Sequence, residues 1–325
     1  MKVAELDLLD RFQRDFPLSP RPYARIAGQI GMSEAEAIIA LRRLARRGCV
    51  SRVGVTLAPG RVGAATLAAL RVPQARLEAV ARLVSAYREV NHNYERDHEF
   101  NLWFVVTAPD RARVSAVVRG IERRAGCGAA LDLPMLEAYR VDLGFSLRTT
   151  AARQREESDC VSRPEPYPLT LEQKALLAAL QDGLPLEARP YAELGRRCGM
   201  SEGEALEALA RLIRDRVIAR FGVIVRHRPL GYRANAMAVW DVPDADADRV
   251  GSELARAPAV TLCYRRQRHP PHWPYNLYCM LHGTDRDAVT PRIDDLTRAA
   301  GLGSRPHAVL FSRRCFKQRG GRYLP

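Results

Sequence analysis

Gly31-Met32-Ser33-Glu34-Ala35-Glu36 and Gly199-Met200-Ser201-Glu202-Gly203-Glu204 are one signal written twice. In each, a serine is followed three residues later by a glutamate. The serine hydroxyl and the glutamate carboxylate can then satisfy each other's orphan backbone N–H groups, so a helix starts at Ser33 and again at Ser201. Ala37, Leu41 and Leu44, and Leu206, Leu209 and Leu212, give these helices an inner face. Upstream, Arg21-Pro22-Tyr23 returns as Arg189-Pro190-Tyr191. Downstream, Arg52-Val53-Gly54-Val55 returns as Arg220-Phe221-Gly222-Val223, and Gly63 as Gly231. All share the offset 189 − 21 = 168, which chance does not produce; the chain is an internal duplication.

Outward from the capped helix, each copy opens with an amphipathic helix (Ala4 to Asp15; Leu171 to Gln181) and a short helix near Tyr23 to Ile30 or Tyr191 to Cys198. After the capped helix comes a strand, Val50 to Leu57 or Val217 to Val225. That is a winged helix-turn-helix. The remainder of each copy reads strand, helix, strand, strand, helix, strand, the ferredoxin-like βαββαβ order. The predicted fold class is therefore α+β, a tandem repeat of a winged helix-turn-helix plus a ferredoxin-like domain. The expected units are residues 1–60, 61–147, a polar linker at 148–168, 169–228, and 229–325 with a basic tail. The two halves should pair as an intramolecular pseudo-dimer with a cleft between their sheets, and a further homodimer is compatible with this.

At 325 residues, 47% hydrophobic and 27% charged, the chain can bury several cores. No apolar run approaches the ~20 residues of a membrane span, and Met1 to Phe16 is amphipathic and carries acids, so the expected place is the cytoplasm, away from membranes. Seven scattered cysteines show no CxxC and no zinc-site spacing, so no protein metal site is expected. The net charge of +14, carried mostly by arginine, calls for an anionic partner: nucleic acid, or a polycarboxylate or phosphate ligand.

Two hairpins stand out. Leu262 to Gly283 holds three arginines, three histidines and four aromatics, and matches the first copy through Tyr94-Glu95-Arg96 with Tyr264-Arg265-Arg266 (offset 170) and Phe100-Asn101-Leu102-Trp103 with Tyr275-Asn276-Leu277-Tyr278 (offset 175). The five extra residues fall in the His-Pro-Pro-His-Trp-Pro loop. Winged-helix plus ferredoxin-like halves resemble the Lrp/AsnC regulators, which makes a DNA-binding transcriptional regulator the alternative reading. Against DNA, the first turn of each capped helix carries Glu34 and Glu36, or Glu202 and Glu204, and offers no Arg, Asn or Gln to read base edges.

The hairpins His92 to Phe104 and Cys263 to Gly283, with the tail Leu310 to Gly320, look like the paired motifs of the sirohaem decarboxylases, relatives of Lrp/AsnC usually built of two homologous subunits. The resemblance covers nearly the whole chain and implies a fused form. It implies a carbon–carbon lyase acting on sirohaem in haem d1 or alternative haem synthesis, converting two pyrrole-ring acetates to methyls to give 12,18-didecarboxysirohaem. Each event replaces carbon dioxide with a proton, so no cofactor is expected, and the iron belongs to the substrate. Such chemistry needs cations for carboxylates, a flat apolar slot and a general acid. Arg96, Arg265, Arg266, Arg313, Arg314, Lys317 and Arg319 are candidates for the first, and Trp103, Trp273, Tyr275 and Tyr278 for the second. His98 and His282 are the expected acids, either of them an alternative axial ligand to the substrate iron, ahead of the loop histidines His92, His269 and His272. Tyr94 and Tyr264 precede an arginine in both copies and could bond a carboxylate, relay a proton or pack at the sheet edge. Asn101 and Asn276 are positioning candidates, with turn hydrogen bonding as the other reading. The clefts should not be equivalent, because the first hairpin lacks the insertion.

Overall fold

The structure is a computed structural model that describes residues 3–141 and 165–324; most of the expected linker lies outside the described residues. The first copy runs α1 (Val3–Arg11), α2 (Pro22–Gly28), α3 (Glu34–Arg46), β1 (Val50–Leu57), β2 (Ala64–Leu70), α4 (Leu77–Ala86), β3 (Val90–Arg96), β4 (Leu102–Ala108), α5 (Arg111–Ala125) and β5 (Leu131–Val141). The second runs α6 (Leu171–Ala179), α7 (Pro190–Cys198), α8 (Glu202–Arg214), β6 (Ile218–Val225), β7 (Ala234–Trp240), α9 (Ala247–Arg256), β8 (Val260–Arg266), β9 (Leu277–Gly283), α10 (Arg286–Ala299) and β10 (His307–Gln318). Both capping boxes form. Glu34 and Glu202, whose charge argued against DNA, are each ion-paired to the arginine ahead of the preceding helix, Arg21 and Arg189.

The halves are interleaved. The wings β1 and β6 pair antiparallel with Gly54 opposite Gly222, so the local twofold passes through the wing ribbon. The chain after α1 then reaches the other half: Val223 N–H donates to Phe12 O (2.7 Å) and Phe16 N–H to Phe221 O (3.1 Å), while Leu184 N–H donates to Val53 O (2.7 Å). Two tyrosines close the arrangement symmetrically, Tyr23 donating to Pro185 O (2.9 Å) and Tyr191 to Pro17 O (2.8 Å). Helices α1–α3 and α6–α8 consequently share one apolar core rather than forming two lobes.

Below the wings, the eight remaining strands close into a barrel in the order β10-β3-β4-β2-β5-β8-β9-β7. Closure comes from the two long last strands. β5 pairs with β2 through Pro134 and then with β8 from Met135, and β10 pairs with β7 up to Phe311 and then with β3 from Ser312. The expected open cleft between two sheets is therefore absent. The sheets are sewn together at both edges, and their facing side chains meet in a packed interior of Leu131, Leu133, Met237, Val239 and Leu310 with Trp103, Trp273 and Tyr278. Helices α4 and α5 cover one sheet and α9 and α10 the other.

Candidate active site

Alternation along the strands decides which hairpin residues enter the barrel. On β3, Asn93 donates to Ala81 O and Ser85 Oγ under α4, and Glu95 accepts from Arg314 (2.5 Å), so His92, Tyr94 and Arg96 point inward. On β8, Cys263 sits under α9 and Arg265 is paired with Asp244 and Asp248 on the helix side, which leaves Leu262, Tyr264 and Arg266 inside. On β9, Leu277, Cys279 and Leu281 belong to the outer core, so Tyr278, Met280 and His282 face in. The two inward arginines are symmetry mates, Arg96 donating to Leu310 O (2.8 Å) and Arg266 to Leu133 O (2.9 Å). Burial pushes the Arg96 guanidinium down to about 10, and Arg266 downward as well.

A cavity of about 230 Å³ lies between the wing ribbon and the adjacent end of the barrel. Its cationic lining is Arg52 of β1, Arg220 and the following Arg226 of β6, and Arg319 of the tail, with His92 from β3 and His227 from the β6–β7 connection beside them. Among the described residues, several buried polar atoms of the lining residues have no hydrogen-bond partner: Arg52 Nε, Arg226 Nε, Asn91 Oδ1 and Gln181 Oε1. Buried groups of this kind cost free energy unless water or another polar group bonds them, so the lining keeps polar bonding capacity. His282 lies behind His227, ring centroids 4.9 Å apart, with its Nδ1 3.1 Å from Thr261 Oγ1. Burial, with His227 and Arg52 adding charge repulsion, lowers the His92 imidazole to about 4. Burial with Arg220 and Arg228 does the same for His227, also about 4, and burial with His227 and Arg96 takes His282 to about 3. All three are neutral at pH 7. Tyr94 stacks near His92 (6.1 Å), and burial raises its phenol so that it stays protonated.

Several expected site residues are placed elsewhere. His98 and His282 do not face each other across a cleft. His98 sits in the β3–β4 turn, at the end of the barrel away from the wings and beyond Arg96, which is itself about 13 Å along the strand from His92; its Nδ1 accepts from Phe100 N–H (3.1 Å) and its ring packs edge-on against Trp273 (5.3 Å). The aromatic slot is filled core. Trp103 and Trp273 are buried at 2% and 0% exposure with centroids 5.0 Å apart, and their indole N–H groups are already used on Phe100 O and Tyr278 Oη. Tyr275 packs beside Trp273 in the same cluster. Asn101 and Asn276 are spent on turns, each exchanging two hydrogen bonds with the backbone of Val72 or Val242. Arg313 is paired with Asp97 and Arg314 with Glu95 and Glu78, while Lys317 donates to Ser85 O and Tyr87 O; of the four tail cations only Arg319 reaches the cavity. Arg265, as above, faces away. Conversely, Arg52, Arg220, Arg226 and His227 were not singled out from sequence. The repeated Arg52-Val53-Gly54-Val55 and Arg220-Phe221-Gly222-Val223 carried the signal for two of them. His227 has no such echo, because the residue 168 positions earlier is Pro59.

The same offsets show how unlike the two sides of this barrel end are. The counterpart of His92 is Leu262 and that of His282 is Thr107, whose hydroxyl accepts from Arg322 N–H of the tail (2.9 Å). Histidine is present on one side only.

Family models agree with the architecture. An "AsnC-like ligand binding domain" matches residues 61–140 and 229–317, and a "Siroheme decarboxylase NirDL-like HTH domain" matches 5–50 and 173–218. The chain is 44% identical over 323 residues to the "Siroheme decarboxylase NirDL subunit" of Paracoccus denitrificans (strain Pd 1222), covering 98% of this chain and 97% of that one. Among solved structures, the crystal structure of the siroheme decarboxylase NirDL superposes with a TM-score of 0.69 at 30% identity, covering 98% and 94% of the two chains. The same enzyme in co-complex with an iron-uroporphyrin III analogue gives 0.67 at 29%, covering 98% and 93%.

Proposed function

Since this chain belongs to the sirohaem decarboxylase family, we propose that it decarboxylates sirohaem, in the cavity between the wings and the barrel. The observation that carries the placement is the set of four arginines, Arg52, Arg220, Arg226 and Arg319, around the two neutral histidines His92 and His227. A tetrapyrrole bearing acetates and propionates presents the carboxylates that such nitrogens bind, in the charge-assisted geometry Arg favours.

In each event the bond between the acetate methylene and its carboxyl carbon breaks, and carbon dioxide leaves. The electron pair stays with the methylene carbon, delocalised into the ring, and a proton ends there to give a methyl. Arginines that hold the peripheral carboxylates fix the macrocycle. His92 and His227 are the donors placed to deliver the proton, with His282 orienting His227 from behind. They are neutral because burial and cationic neighbours disfavour the imidazolium. The incoming carboxylates reverse that field and load the acid only when substrate is present. The iron is part of the substrate, and of His92 and His227 only a ring that stays unprotonated beside the bound substrate could serve it as an axial ligand. We also propose one productive centre, on the side that keeps its histidines, with no added redox cofactor.

The test is anaerobic incubation of the purified protein with sirohaem, followed by mass spectrometry of the tetrapyrrole. Successive loss of two carbon dioxide equivalents without nicotinamide, flavin or added metal is expected. Sirohaem that binds but is recovered unchanged would reduce the protein to a tetrapyrrole sensor.

A further inference from the structure

We propose that Arg52 is the specificity-determining carboxylate anchor of this cavity, a guanidinium held in a sleeve of glycines and left for a ligand to neutralise. This rests on the functional reading above and names the group through which the ligand is recognised. Three glycines from separate parts of the chain make room for the side chain. A Cβ at Gly54 on the wing would stand 3.0 Å from Arg52 Nε. One at Gly183, after α6, would stand 2.8 Å from Arg52 Cβ and 3.0 Å from Val53 O. One at Gly320, in the tail, would stand 2.6 Å from Nη2 and 2.7 Å from Cζ and Nη1. No ordinary Cβ contact is that short, so a side chain at Gly183 or Gly320 would displace the arginine or the strand that carries it.

The duplication shows that this room is not a by-product of backbone shape. Gly183 has φ 109°, but its counterpart 168 residues earlier is Asp15, also at positive φ (53°). A side chain is tolerated in that conformation where Arg52 is not its neighbour. In the second wing, Gly222 replaces Gly54 but is turned onto the backbone of Phe12 and Gln13 rather than onto Arg220.

Among the described residues the held guanidinium makes no ion pair. Nη2 donates to Val55 O (3.1 Å), Nε has no partner among the described residues, and the acid that most favours its charge, Asp182, is exposed and paired with Arg322. Burial works against the charge. A largely buried cation whose nearest acid is exposed and already paired is held at a cost in stability. Arg52 lines the cavity, and its planar guanidinium suits a carboxylate on the rim of a flat polyacid.

The experiment compares wild type with Arg52→Met, Arg52→Lys and Gly320→Ala, measuring the Kd for iron-uroporphyrin III by absorbance titration and the melting temperature of the ligand-free protein. Arg52→Met is expected to weaken binding by roughly ten- to a hundredfold, the range of one charge-assisted contact. Its ligand-free melting temperature should hold or rise, since an uncompensated buried charge is gone. Arg52→Lys should recover part of the affinity, and Gly320→Ala should lose affinity without any change of charge. Unchanged affinity in Arg52→Met overturns the assignment, as does a fall in affinity accompanied by a fall in melting temperature, which is the signature of a structural arginine. A wild-type protein that does not bind iron-uroporphyrin III would instead remove the functional reading itself.

Discussion

Binding of the polycarboxylate substrate should take up protons from solution, and the amount follows from the cavity. His92 and His227 sit at about 4 against an ordinary 6.5, which is about 3.4 kcal/mol per imidazole. One carboxylate at about 5 Å, at an effective dielectric near 20, supplies about 3 kcal/mol in the opposite direction. A substrate whose carboxylates enter among Arg52, Arg220, Arg226 and Arg319 cancels the repulsion and adds this attraction, returning the histidines to their ordinary range. At pH 6.0 each imidazole is then about 1% protonated before binding and roughly three-quarters protonated after it, so the pair takes up about 1.5 protons; at pH 8.0 uptake falls below about 0.2.

Calorimetric titration of iron-uroporphyrin III in buffers of different ionisation enthalpy reads this number directly. The ligand's own carboxyls are almost wholly ionised at pH 6.0 and the arginines hold them so, which leaves at most a small release from the residual acid fraction, and net uptake is diagnostic. His227→Gln should remove about half of the uptake. Zero uptake or net release at pH 6.0 would refute the loading of the acid by substrate charge. The same shifts govern the ligand-free fold. A histidine whose pKa is lower folded than unfolded contributes stability above about 6.5 that is lost as pH falls through 4. The ligand-free melting temperature should therefore drop across pH 6.5 to 4, and less steeply with ligand bound.

Three further outcomes separate cavity residues from their look-alikes. His98→Ala should keep sirohaem turnover within a few-fold of wild type, while His227→Ala and His282→Ala should lower kcat by about 10²-fold or more, the usual share of a positioned proton donor; equal rates in all three would return the acid to an unassigned group. Arg265→Gln, which breaks only pairs with Asp244 and Asp248, should leave the Kd for iron-uroporphyrin III within twofold, whereas Arg226→Gln should raise it at least several-fold in the same titration. Gly222→Ala drives a methyl into the Gln13 carbonyl and should lower stability to chemical denaturation by about 1–3 kcal/mol or more, while Gly203→Ala, with open space at an exposed helix position, should be neutral or stabilising by up to about 1 kcal/mol.

The fold was legible because its signals are local and repeated. Ser33 with Glu36 and Ser201 with Glu204 mark helix starts within four residues, and both boxes form as read. Period-two alternation over Asn276, Tyr278, Met280 and His282 puts them on one face, and the structure turns the last three inward while Asn276 bonds the backbone of Val242. What it could not separate was Arg265 from Arg266, or Arg313 and Arg314 from Arg319. Neighbours in a basic run differ by one step of parity or a few residues of register, and in this molecule that step decides between an ion pair on the helix layer and a place inside the barrel or the cavity. The cavity has no local pattern at all: Arg52, His227 and Arg319 become neighbours only once the wings pair across the duplication and the tail returns past Asn91.

The His-Pro-Pro-His-Trp-Pro insertion shows the same limit from the other side. An aromatic, proline-stiffened loop can line a flat slot or fill a core, and composition does not choose between them. The barrel chooses. Its turn end needs a large apolar stopper, and Trp273, buried at 0% and in contact with Phe100, Trp103 and Tyr275 across both sheets, is that stopper. The insertion that makes the second hairpin conspicuous thus closes the turn end of the barrel. The cavity lies at the plain end, where a wing arginine, a connector histidine and the tail meet.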